Sequence, residues 1–140
     1  MKALHGRKIK DGAAAYLEPG EQVLAGIVVA VRGVSQFRIS METAGFQLVS
    51  PMGLAITDRR MLGLAITYPW GLGVGGRVRE LISEVPIADV QRIGVGRLLI
   101  GWTIEVTVRG ELFRLEAGAG ADANSLVGAL EQAHAGTSAA

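Results

Sequence analysis

Residues 53–67 read GLAITDRRMLGLAIT, one pentapeptide written twice around Asp58, Arg59, Arg60 and Met61. In the first arm Leu54 and Ile56 share one face. In the second, Leu62, Leu64 and Ile66 share one, and the smaller Ala55, Gly63 and Ala65 take the other. A period of two in both arms, broken by a polar connection, is the pattern of two strands and a turn. This hairpin commits the chain to a β framework, and the remaining segments decide what covers it.

Most of those segments are strands as well. Residues 21–32 are rich in Val and Ile and stop at Gly33 after the turn signature Glu18-Pro19-Gly20. Trp102, Ile104, Val106 and Val108 alternate, Arg109-Gly110-Glu111 reads as a turn, and residues 112–116 return, giving a second hairpin. Residues 84–92 form another strand, with Ala88-Asp89 breaking the alternation as a bulge does. Residues 34–52 read as a strand or loop insertion, and residues 68–79, with Pro69 and four glycines, as a loop. Trp102, at the head of its strand, is expected in the core.

Two segments have helical character. Residues 2–17 mix good helix formers with Gly6 and Gly12 and predict a short, weak helix. Residues 121–134 place Leu126, Val127 and Leu130 on one helical face, with Asp122 as N-cap, and this helix is expected to end before Gly136. The expected architecture is mainly β: a small sandwich or open barrel of about seven antiparallel strands, capped by the C-terminal amphipathic helix. The organisation read from the sequence is a basic arm or short helix over 1–16, one domain over 17–134 and a flexible tail over 135–140.

The totals restrict function. A chain of 140 residues with 49% hydrophobic and 19% charged residues suits one globular domain, and a net charge of +1 gives no global basic excess for nucleic acid. The charge is uneven: residues 1–70 hold eight Lys or Arg against five acids, and residues 71–140 hold six against eight. Lys2, Arg7, Lys8 and Lys10 lie in the first ten residues, an arm that solubilises or lies on an anionic lipid surface. Without cysteine there is no disulfide, zinc thiolate or thiol nucleophile. The apolar run over residues 23–31 is about half of what a membrane-spanning helix needs, so a cytoplasmic location is the default expectation.

Taken in order, EPGEQVLAGIVVAVRG, GLAITDRRMLGL, EVPIADVQRIGVGR and WTIEVTVRGELFRLEAG, followed by an amphipathic helix, resemble the bacterial pleckstrin-homology-like domains, which are related in shape to GRAM domains. The matching residues are Thr57, Asp58, Arg59 and Arg60, then Pro86, Ile87, Asp89 and Val90. The resemblance covers roughly residues 17–134 and implies a seven-stranded, strongly bent barrel with a helix plugging one end. Residues 34–52 and 71–76 depart from the compact family pattern.

No catalytic signature is present, and no metal or cofactor is expected. His5 and His134 flank the domain, whereas a metal site or a Ser-His-Asp triad needs histidines held against partners. Glu80, Glu84 and Asp89 read as solvated carboxylates, and GLGVGG (71–76) lacks the spacing of either phosphate-loop fingerprint. The candidate ligand-binding residues are Arg59, Arg60, Arg77, Arg79 and Arg97, whose guanidinium forks suit the phosphate of an anionic head group, and Trp70 on its loop between Pro69 and Gly71. The plain alternative is that these cations are solvated turn residues, with Asp58 pairing to Arg59 or Arg60.

The expected function is a non-enzymatic binding module that mediates protein interaction or self-association through sheet edges or a barrel face. The alternative is peripheral binding to anionic lipid at the inner membrane surface through the basic arm, Arg59, Arg60 and Trp70. A small-molecule enzyme is the remote third reading.

Overall fold

The computed structural model describes residues 2–31, 40–43, 45–49, 51–67, 77–118 and 120–139. In chain order it contains α1 (Lys2–Ala13), a 3-10 turn (Ala14–Tyr16), β1 (Val23–Val31), β2 (Ser40–Thr43), β3 (Phe46–Val49), β4 (Met52–Thr57) and β5 (Arg60–Thr67). There follow β6 (Arg77–Pro86), a 3-10 turn (Ile87–Asp89), β7 (Val90–Arg97), β8 (Trp102–Val108), β9 (Glu111–Ala117) and α2 (Gly120–Ala139). Seven strands form one antiparallel sheet in the order β6-β5-β4-β1-β9-β8-β7, and β2 and β3 form a separate hairpin.

The sheet is open, with β6 and β7 as its edges, and it is strongly bent. β1 makes the bend, because its residues 23–29 pair with β4 while Ala30 and Val31 pair with β9. The two edges are joined by only three residues, Ile87–Asp89. Four Cα steps reach at most about 14 Å, so the end of β6 and the start of β7 lie near one another and the sheet curls into an open barrel. The mainly β, helix-capped architecture expected from the sequence is therefore the one observed. The segment read as one bulged strand over 84–92 is instead this corner, where Pro86 fixes the backbone between two strands. β6 itself begins at Arg77, inside the segment read as a loop.

Inside the barrel, Ile27, Leu54, Ile56, Met61, Val85, Val90, Ile104, Val106 and Leu115 pack with Leu126 and Leu130 of α2 and with Phe46 and Leu48 of β3. The Phe46 and Phe113 rings stack with centroids 6.2 Å apart. The insertion at 34–52 thus supplies a hairpin whose β3 side chains help to close the core. α2 runs to Ala139 rather than stopping before Gly136, since the alanine-rich end prolongs it. Asp122 falls in its first turn, where a carboxylate suits the helix dipole.

α1 is docked as well. Ile9 and Ala13 are buried against Ala55, Leu62, Leu64 and Ile66 on the outer face of β4 and β5. Gly26 and Gly53 form the seat: a Cβ on either would come within 2.8 Å of the Ile9 side chain.

The repeated pentapeptide is split between these two layers. β4 pairs with β5 so that Leu54 faces Gly63, Gly53 faces Leu64 and Ala55 faces Leu62. Leu54 and Ile56 consequently point into the barrel, whereas Leu64 and Ile66 point out beneath α1. On each face a large side chain sits across from a small one, which leaves room for Phe46 over Gly63 on the inside and Ile9 over Gly53 on the outside.

Candidate functional site

The DRR turn holds the most buried polar cluster among the described residues. Thr57 ends β4 and Arg60 begins β5, so only Asp58 and Arg59 lie between the strands. The Thr57 hydroxyl oxygen accepts from the amides of Arg59 (3.0 Å) and Arg60 (2.8 Å), and the hydroxyl donates to Glu21 Oε2 at 2.6 Å. Arg60 then grips Glu21 with two prongs, Nε to Oε2 at 2.9 Å and Nη2 to Oε1 at 2.6 Å. It also donates to Glu84 Oε2 and to the Tyr16 carbonyl, both at 3.0 Å. Four of the five guanidinium N–H groups are thereby engaged within the protein.

The Glu21 side chain is fully buried and that of Arg60 is 11% exposed. Burial alone would raise the Glu21 pKa. Hydrogen bonds from Arg60, Thr57 and the Glu18 amide, together with the Arg60 charge, outweigh it and hold the pKa to about 2. The Arg60 pKa is raised in turn, chiefly by its hydrogen bond to Glu21. Asp58 does not pair with an arginine. It accepts from the Gln22 amide at 3.0 Å and donates its own amide to the Gln22 carbonyl at 3.1 Å. The Ile87 amide reaches the Arg59 carbonyl at 2.8 Å. Together these bonds tie the linker after α1, the β4–β5 turn and the β6–β7 corner into one latch.

The other arginines lie elsewhere. Arg59 is exposed at the same turn. Arg77 pairs with Thr67 while Arg60 pairs with Pro86, so the two stand at opposite ends of the β5–β6 ladder. Seven strand steps separate them by about 23 Å. Arg79 is exposed on β6, and its carbonyl accepts from the Tyr16 hydroxyl. Arg97 ends β7, on the opposite edge of the sheet, where its guanidinium lies 5.6 Å from the Trp102 ring centroid. The five arginines are not brought together. Trp70 and residues 71–76 lie outside the described residues.

The carboxylates and His134 have local roles. Glu84 binds Arg60, and Asp89 pairs with Arg109 at 3.1 Å on the surface. His134 Nε2 lies 2.8 Å from the Val90 carbonyl and 3.2 Å from that of Ile87, pinning α2 to the corner. Among the described residues no group of three His, Asp or Glu is placed to hold a metal ion, and no helix is long and apolar enough to cross a membrane.

A feature not singled out from the sequence stands at the β7–β8 turn. Leu99 and Ile100 are 102% and 89% exposed, side by side at the tip of a hairpin. The turn is closed by the Leu98 amide on the Gly101 carbonyl at 3.1 Å. Gly101 has φ 90°, and a Cβ there would come within 2.9 Å of the Ala117 carbonyl oxygen, so both conformation and space require glycine. Trp102 is half-buried rather than in the core, because the first position of β8 lies at the barrel rim and the interior begins with Ile104. Beside the tip lies a groove of about 320 Å³, lined by Val28, Ala30, Pro51, Ile100 and Ala117, with Glu116 as its one charged residue. The sequence signal was the run RLLIGW (97–102): consecutive large apolar residues occupy a turn, where polar residues are the rule.

No protein-family model matches the chain, and no curated protein is detectably similar to it in sequence.

Proposed function

We propose that the chain is a non-enzymatic binding module of the bacterial pleckstrin-homology-like kind, and that it makes a protein contact through the β7–β8 tip. The observation that carries this reading is the pair Leu99 and Ile100, almost wholly in water on a turn held in shape by Gly101. Single exposed apolar residues are ordinary, but two adjacent ones on a fixed protrusion beside an apolar groove form the knob and pocket of a contact surface. The arginine latch supports a structural rather than catalytic use of the buried charges. A carboxylate with a pKa of about 2 is displaced the wrong way for general acid or base work near neutrality.

A photoreactive residue at position 99, compared with one at Thr107 on the open sheet face, tests the reading in living cells. Position 99 should yield a discrete protein adduct that is lost when Ile100→Asp is added, and position 107 should yield none. Absence of any adduct from position 99, or adducts to lipid alone, would sink it.

A further inference from the structure

We infer that the partner at this tip is a second copy of the chain, docked about a two-fold axis with each tip in the other's groove. The inference rests on the reading above and deepens it. A two-fold contact requires one patch to carry both the projecting and the receiving element, because residue i of one copy meets residue j of the other and the reverse. Here the two elements share a wall: Ile100 belongs to the exposed tip and also lines the groove formed by Val28, Ala30, Pro51 and Ala117.

The charges are complementary in the same sense. The tip carries one cation, Arg97, and the groove carries one anion, Glu116. Among the described residues neither takes part in a salt bridge, and Arg97 is steadied by the Trp102 ring. Two symmetry-related Arg97–Glu116 pairs would flank the apolar contact and fix its register. An anionic lipid surface fits less well, since it would be met by Glu116 as well as by Arg97 and would leave the groove without a use.

Sedimentation velocity of the full chain from micromolar to near-millimolar concentration tests the inference. The wild type should pass from monomer to dimer, and the double variant Leu99→Asp/Ile100→Asp should weaken the dimer by about a hundredfold or more. Arg97→Glu and Glu116→Arg should each weaken it by about tenfold, and the combined swap should restore it. Both charge sites are at the surface, and circular dichroism melts establish that each variant is folded. A wild type that stays monomeric throughout, or a dimer indifferent to these substitutions, overturns the inference. If the chain is monomeric while position 99 still cross-links to another protein, the binding-module reading stands and only the second copy is excluded. Monomer that sediments with phosphatidylglycerol vesicles, and ceases to do so on Leu99→Asp, overturns both.

Discussion

The two halves of the sheet solve the same problem differently. β1, β4 and β5 are sandwiched between the barrel interior and α1, and every residue from Met52 to Thr57 and from Arg60 to Ile66 is buried, while the edge strand β6 buries only Val85. β9, β8 and β7 bury only the inner face, and their outer face carries Thr103, Glu105, Thr107, Arg114 and Glu116. On this open half the charged pair is Arg114 with Glu105 at 2.7 Å, with side chains 59% and 41% exposed. On the covered half it is Arg60 with Glu21, desolvated and multiply bonded. Similar ion pairs therefore do unlike work: one is a solvated cross-strand contact, and the other offsets the desolvation of a carboxylate in a dry corner.

The sharpest way to break the contrast is to remove one partner from each pair. Arg60→Met leaves Glu21 buried beside Thr57 without its counter-charge and should cost about 3–5 kcal/mol in urea denaturation, whereas Arg114→Met should cost under about 1 kcal/mol. Equal losses from the two variants would dissolve the distinction.

Acid should act on the covered half in the same way. The Glu21 pKa is depressed in the folded state, so its stabilisation is complete above the ordinary value of 4.5 and is lost as pH falls from there toward about 2. Over that window the loss amounts to ~3 kcal/mol. Glu21→Gln should be less stable at neutral pH and lack this part of the acid slope in denaturation followed against pH; an unchanged slope would refute the assignment.

The smallest contrast concerns glycine. Gly26→Ala pushes a Cβ to 2.8 Å from Ile9 Cγ2 and 3.1 Å from the Lys10 amide nitrogen, so α1 must shift at a cost of about 1–3 kcal/mol. Gly94→Ala on the open half has 4.0 Å to its nearest neighbour and should leave stability unchanged or raise it by up to about 1 kcal/mol. Thermal melts of the two variants decide it.

Much of this architecture was legible in the residues. Alternation in 53–67 and 102–116 marked both hairpins, since side-chain period is a local property. What depended on distant partners was not. Arg60 reads in the sequence as a ligand-binding or solvated turn cation because its partners come from two distant segments, Glu21 and the Tyr16 carbonyl from the linker after α1 and Glu84 from β6. The corner at Ile87–Asp89 imitates a bulge, as both interrupt alternation for two or three residues. The candidate arginines were grouped by chemistry, but the register of β5 with β6 sends Arg60 and Arg77 to opposite ends. Leu99 and Ile100 were visible as a run of apolar residues in a turn, and only their exposure separates them from core.

The two-residue turn at Asp58 and Arg59 also acts as a parity device. Position 54 pairs with 63 and 56 with 61, so paired numbers always add to an odd total, while the two copies of GLAIT are offset by ten, an even step. Copies so placed must present Leu and Ile to opposite sides of the sheet. Adding one residue to the spacer within β5, with the two-residue turn kept so that the register slips by one, would turn both copies the same way, crowding Leu64 against Phe46 and leaving Ile9 over glycine and alanine alone. One repeated word thus serves two layers only because its spacer has the length it has.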